Sequence, residues 1–219
     1  MQQYLQIIQA THSQDNSIQL ASDAYINMLL QNPEEVAQLH FESIRSGDEA
    51  TRNSSLVLFS RYFSLLSQYD IKAFEKTYSD FQSNLLSLFL IEHFSEFQLD
   101  NVSHILFKAA KYFQNNWPGL TKSLCDLLKH QNPLISSNVA QCLSNCIDDN
   151  LIDARPYFEY LVGYIQNYLA TPNESSSDII VSNLRLFYSL AKLIDQYLDL
   201  DHQIAIFSNA VNYIPNCMC

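Results

Sequence analysis

Apolar residues recur at helical spacing along almost the whole chain, and every proline falls between those stretches. Tyr4, Leu5 and Ile8 share a face of a segment over Gln2–Ala10, and a longer segment runs over Ser17–Leu30. Val36, Leu39, His40 and Ile44 follow Pro33, and the next segment, Glu49–Tyr69, carries Leu56, Phe59, Phe63 and Leu66. Ala73–His93 is expected to be broken once near Ser79, and Asp100–Asn115 carries Val102, Ile105, Leu106, Ala109 and Phe113. Pro118 and Pro133 each open a helix on either side of the turn "HQNP", the second ending at Cys146. Tyr157, Leu161, Tyr164 and Tyr168 mark Pro156–Ala170, and Asp178–Leu198 and Gln203–Ile214 complete the series. Proline is tolerated in the first turn of a helix and breaks its interior. With that punctuation and a 3.6-residue period, only an all-α fold fits.

The segments come in pairs. Thr11–Tyr25 and Arg45–Phe59 carry one phrase twice: a polar turn with an aspartate (Asp15, Asp48), then a β-branched residue and Gln or Arg (Ile18-Gln19, Thr51-Arg52), then small residues and an apolar stripe. The second helix of each pair starts near Ser17, Glu49, Asp100, Pro133 and Asp178, a step of about 40 residues, as in HEAT or armadillo arrays. One such hairpin buries too little to offset the entropy of ordering it, whereas stacked hairpins share their faces. The expectation is one α-solenoid of about five antiparallel HEAT-type helix pairs plus an unpaired C-terminal helix. Its repeats would span 2–30, 33–69, 71–115, 118–149 and 154–198, with a partial one at 202–214. The unpaired last helix suggests an N-terminal fragment of a longer array.

Chemistry finds little purchase. Three glycines, Gly47, Gly119 and Gly163, are too scattered for a phosphate-cradling loop. No histidine sits in a zinc-protease motif and no serine on a nucleophile elbow. Asp148, Asp149 and Asp153 invite comparison with an aspartate-rich Mg²⁺ site, but their spacing is wrong for one helical face. They read better as a solvated turn. Cys125, Cys142 and Cys146 read as small core residues, since no fourth ligand is near, and Cys217-x-Cys219 alone is weak evidence for metal. No metal, cofactor or catalytic residue is expected. Five cysteines without framework spacing read as reduced thiols, and the run Leu85–Ile91 is too short to span a membrane. A net charge of −11 disfavours nucleic acid and favours basic partners. The ring-rich helix Tyr157–Leu169 places Tyr160 nearest the edge of its stripe, as the candidate for an exposed aromatic.

The order of features resembles the importin-β family of nuclear transport receptors. Ala10-Thr11, Ser13, Asp15, Ile18, Asn32-Pro33, Asp48 and Arg52 match its opening repeats, and "NNWPGL" (Asn115–Leu120) resembles its Trp-Pro-x-Leu. Gln19 and Ser136 stand where that repeat type often has Arg, and Ser55 where it has Ala. The resemblance implies a non-enzymatic protein shuttling between cytoplasm and nucleus. It would bind the small GTPase Ran in its GTP form, basic cargo proteins and nucleoporin Phe-Gly repeats. In that family the second helices of the first repeats hold the GTPase. Their faces opposite the apolar stripes present Asp23 and Asn27, Arg61 and Ser64, and Lys108 as contact candidates. Two alternatives stand beside this reading: another HEAT scaffold, such as a phosphatase scaffold or condensin-type subunit, and an all-α enzyme using Asp148 and Asp149 with Mg²⁺.

Overall fold

The computed structural model describes residues 2–10, 17–74, 78–170 and 177–197. The expected helix over Gln203–Ile214, Cys217, Cys219, and the first copy of the repeated phrase up to Asn16 lie outside them. The described residues hold no strand. The helices are α1 (Gln2–Ala10), α2 (Ser17–Gln31), α3 (Pro33–Ser46), α4 (Glu49–Gln68), α5 (Tyr78–Ser87) and α6 (Glu96–Phe113). They continue with α7 (Leu120–Leu127), α8 (Pro133–Asp148), α9 (Phe158–Ala170) and α10 (Ser177–Tyr197). They form two compact units, Met1–Gln114 and Asn115–Cys219.

The second copy of the repeated phrase shows what it does physically. The Asp48 carboxylate accepts from the Thr51 backbone N–H at 2.9 Å and from the Thr51 hydroxyl at 3.1 Å, capping α4. Those hydrogen bonds hold its carboxyl below the usual carboxylate range. Arg52, one turn on, reaches back: Nε donates to the Ile44 carbonyl at 3.0 Å and Nη2 to that of Gly47 at 3.3 Å. Its guanidinium also lies 5.7 Å from the centroid of the Phe94 ring. One aspartate therefore starts the second helix while one arginine finishes the first, which locks the hairpin angle. Arg52→Ala is expected to lower stability by about 1.5 kcal/mol in urea denaturation, because two carbonyls lose a charged donor.

Caps also explain where the helices begin. Asn32 and Asn132 accept from the backbone N–H groups of Glu35 and Leu134, each with proline next in sequence. Helix α6 starts at Glu96, four residues before the expected Asp100, because Ser95 and Gln98 form a reciprocal capping box. Two prolines do less than expected. Pro118 lies in the turn before α7, and Pro156 lies in a 3₁₀ turn (Arg155–Tyr157) that precedes α9.

The expected helix over Ala73–His93 is much shorter. Residues 71–74 are not helical, and α5 passes at Leu88–Leu90 into a 3₁₀ turn. Tertiary hydrogen bonds take over the backbone of 71–74. Tyr112 Oη donates to the Ile71 carbonyl and accepts from the Ala73 N–H, both at 2.8 Å. The Phe74 N–H donates to Glu34 Oε1 at 2.9 Å. Phe74 accepts a φ of 71°, costly for a residue with a side chain, and its ring stacks on Phe81 at 3.8 Å.

In the first unit the stripes read from sequence are the core: Val36, Leu39 and Ile44, then Leu56, Phe59, Phe63 and Leu66, then Val102, Ile105, Leu106, Ala109 and Phe113 are all buried. Leu5 is only half-buried, and Ile7 takes its place in the core beside Tyr4 and Ile8. His40 is fully buried among them. Tyr4 Oη lies 2.6 Å from His40 Nδ1 and 2.8 Å from Ser55 Oγ, while Tyr25 Oη lies 2.7 Å from Nε2. A neutral imidazole has one donor and one acceptor, so one tyrosine donates to it and the other accepts. The ring also stacks on Phe59 at 4.6 Å. Burial pushes the imidazole down to about 3 and both tyrosine hydroxyls up.

In the second unit α8 and α10 are the principal packed pair. Ile135, Val139, Leu143 and Ile147 of α8 are buried, as are Ile179, Leu186 and Leu190 of α10. Ser144 and Ser189 hydroxyls meet at 2.7 Å in that seam.

Candidate functional site

Asp23 and Asn27 on α2, and Arg61 and Ser64 on α4, are all exposed. Lys108 on α6 is half-buried, and its Nζ donates to the Ser60 carbonyl on α4 at 2.8 Å. Burial, and then the charge of Arg61, lower the Lys108 pKa. Arg61 and Lys108 are therefore electrostatic neighbours.

The packing leaves a gap between two of these helices. α2 makes its main contacts with α1 and α3, while α4 packs on α1, α3 and α6. Between α1, α2 and α4 lies a cavity of about 280 Å³, and both Arg61 and Ser64 line it. Asp23 and Asn27 do not line it; Ser22 and Ile26, one position earlier on the helix, do. Thus the structure groups Arg61, Ser64 and Lys108, and leaves Asp23 and Asn27 on the solvent side of α2. The cavity itself had no signature in the sequence, because a gap belongs to the packing of helices rather than to any one of them. His40 had a faint one, a polar ring on an otherwise apolar stripe.

Tyr160 is half-buried. Its hydroxyl donates to the Cys125 carbonyl at 3.0 Å, and Lys129 Nζ lies 5.3 Å from its ring centroid. On α9 the fully buried positions are Leu161 and Ile165, with Tyr157 and Tyr164 half-buried. Burial raises the Tyr164 hydroxyl to about 12.

The three aspartates do not converge on one site. Asp148 pairs with Lys192 at 3.0 Å, Asp153 takes a two-pronged contact from Arg155 at 2.7 Å, and Asp149 ends α8. Cys125, Cys142 and Cys146 are free and buried, and burial pushes the Cys125 thiol up to about 11. Among the described residues no group of three His, Cys, Asp or Glu is placed to hold a metal ion. No helix among them is long and apolar enough to cross a membrane.

No protein-family model and no curated protein matches the chain. Its fold does match solved structures of the karyopherin Kap121p. One structure of Kap121p superposes with a TM-score of 0.72 at 20% identity, over 98% of this chain and 20% of that one. Kap121p bound to the SUMO protease Ulp1p gives 0.70 at 19%, and Kap121p bound to Ste12p gives 0.70 at 19%, with the same coverage. The chain thus spans about a fifth of the length of Kap121p. At this identity the likeness speaks for the fold, and the chain is built as the all-α HEAT-type solenoid of the karyopherins.

Proposed function

We propose that the chain is the binding portion of a karyopherin-type nuclear transport receptor that shuttles between cytoplasm and nucleus. It performs no catalysis. It binds Ran in the GTP form, basic cargo proteins and nucleoporin Phe-Gly repeats. The observation that carries this reading is the fold likeness to Kap121p across 98% of the chain. Kap121p has been solved with the proteins Ste12p, Ulp1p and Pho4p bound, and the net charge of −11 suits basic cargo. Asp23, Asn27, Arg61, Ser64 and Lys108 form the GTPase-facing surface, on the second helices of successive pairs.

The test is a titration of residues 1–219 against Ran loaded with a non-hydrolysable GTP analogue, beside the GDP form. Binding to the GTP form at least about a hundredfold tighter, a coupling of about 2.7 kcal/mol, is the expected result. Charge reversal at Arg61 and Lys108 together is expected to weaken it. Equal or absent binding of both nucleotide states would remove the GTPase from this reading and leave a general helical-repeat scaffold.

A further inference from the structure

Four groups that line the cavity between α1, α2 and α4 are apolar and closed off from solvent: Ile7, Ala21, Leu58 and the ring of Tyr25 are buried. Ile26 and Leu65 are half-buried, and the polar residues Ser22, Arg61 and Ser64 are exposed, so the cavity is greasy within and polar at its mouth. Its volume, about 280 Å³, is at the lower limit for a small-molecule cleft and ample for a large apolar side chain. An apolar occupant would pack against these walls and take the half-exposed Ile26 and Leu65 out of water.

The mouth has a second feature. No carboxylate among the described residues pairs with Arg61. Its charged neighbour is Lys108, whose Nζ is held on the Ser60 carbonyl and cannot swing away without losing that bond. In a chain with 23 acidic and 12 basic residues, two neighbouring cations with no ion pair to either among the described residues are against the grain. Their repulsion would be relieved by an anion, and a guanidinium is shaped to grip a carboxylate with two parallel N–H donors.

We propose that this cavity is the socket for an apolar side chain within an acidic segment of a partner protein, with a flanking carboxylate gripped by Arg61. The apolar anchor supplies most of the affinity and the arginine sets the direction and charge of the segment. This selects the opposite charge from the cargo that the acidic chain as a whole attracts. It rests on the reading of the α2–α4 face as a partner surface, and it adds the chemistry of the segment that binds there.

The test uses a fluorescein-labelled octapeptide with one central phenylalanine flanked by aspartates, titrated with residues 1–219 and followed by anisotropy. Saturable binding is expected, weakened about tenfold or more when the phenylalanine is replaced by alanine, and likewise when the aspartates are replaced by lysines. Arg61→Glu and Ser22→Trp, both at exposed positions, are expected to weaken the acidic peptide to a similar extent with unchanged helical circular dichroism. Arg61→Lys should keep part of the affinity. No saturable binding, equal binding of the alanine peptide, tighter binding of the lysine peptide, or indifference to Arg61→Glu would each overturn the socket. Failure of the Ran titration with peptide binding intact removes only the GTPase, and the reverse result removes only the socket.

Discussion

His40→Leu is expected to lower stability at pH 7 by about 2–4 kcal/mol, and to lose most of that deficit near pH 4. At neutral pH the imidazole satisfies Tyr25 Oη and shares Tyr4 Oη with Ser55, deep in the first unit. Leucine fills much of the space but leaves Tyr25 without its partner, at about 1–3 kcal/mol, and forfeits the stack on Phe59. Acid acts the other way on the parent chain. In the unfolded chain His40 takes up a proton near its ordinary value of 6.5; in the folded one it does so only near 3. Between those values the unfolded chain holds the extra proton, so each fall of one pH unit costs the folded state up to about 1.4 kcal/mol. Above 6.5 both forms are neutral and the term vanishes. The leucine variant lacks this term, so the two stability curves converge on acidification. Urea melts at pH 7, 6, 5 and 4 measure the gap; a gap constant with pH would show that His40 titrates in the folded chain near its ordinary value.

Phe63→Ala is expected to cost about 3–5 kcal/mol, the largest loss for any single truncation proposed for this chain. The ring is 1% exposed and joins three helices. It stands 6.1 Å from Phe81 of α5, and 5.9 Å and 6.1 Å from Tyr112 and Phe113 of α6. Its own helix adds Phe59 at 5.9 Å and Tyr62 at 5.1 Å. α5 is also held by Phe81 against Phe41, Phe74 and Phe113 and by Arg45 donating to Asn84 and Ser87, so it cannot collapse into the space left by alanine and the cavity stays open. Phe97→Ala is the control: that ring is 53% exposed, and its loss should stay within about 0.5 kcal/mol. Similar melting midpoints for the two variants would mean that the α4–α5–α6 ring cluster carries no special weight.

The same residues show why some of the architecture could be read in advance. Phe59, Phe63 and Leu66 repeat at helical spacing, and a helix with such a stripe must bury it whatever it meets. Asp48, Asn32 and Asn132 cap their helices through N–H groups two or three residues away, an interaction as local as the sequence itself. The buried stripes of the first unit and the starts of capped helices are therefore properties of short stretches. Residues 71–74 are not: Glu34 and Tyr112, far off in the chain, hold them out of helix.

The candidate site divides in the same way. That Arg61 and Ser64 share a face of α4 follows from their spacing of three, and that Asp23 and Asn27 share one on α2 from their spacing of four. Which of these pairs faces the cavity depends on how α2 and α4 lean on α1, and that Lys108 reaches Ser60 beside Arg61 depends on how α6 packs on α4. Tyr160 likewise looks free on a helical wheel, and its hydroxyl is tied to the Cys125 carbonyl only once α7 and α9 have come together. The sequence by itself determined the all-α class, the capped helix starts and the buried stripes of the first unit, because capping and amphipathic periodicity act over a turn or two. The tertiary structure decided the cavity, the neutral His40 and the company kept by Arg61, because gaps, desolvation and charge proximity exist only between segments brought together from distant parts of the chain.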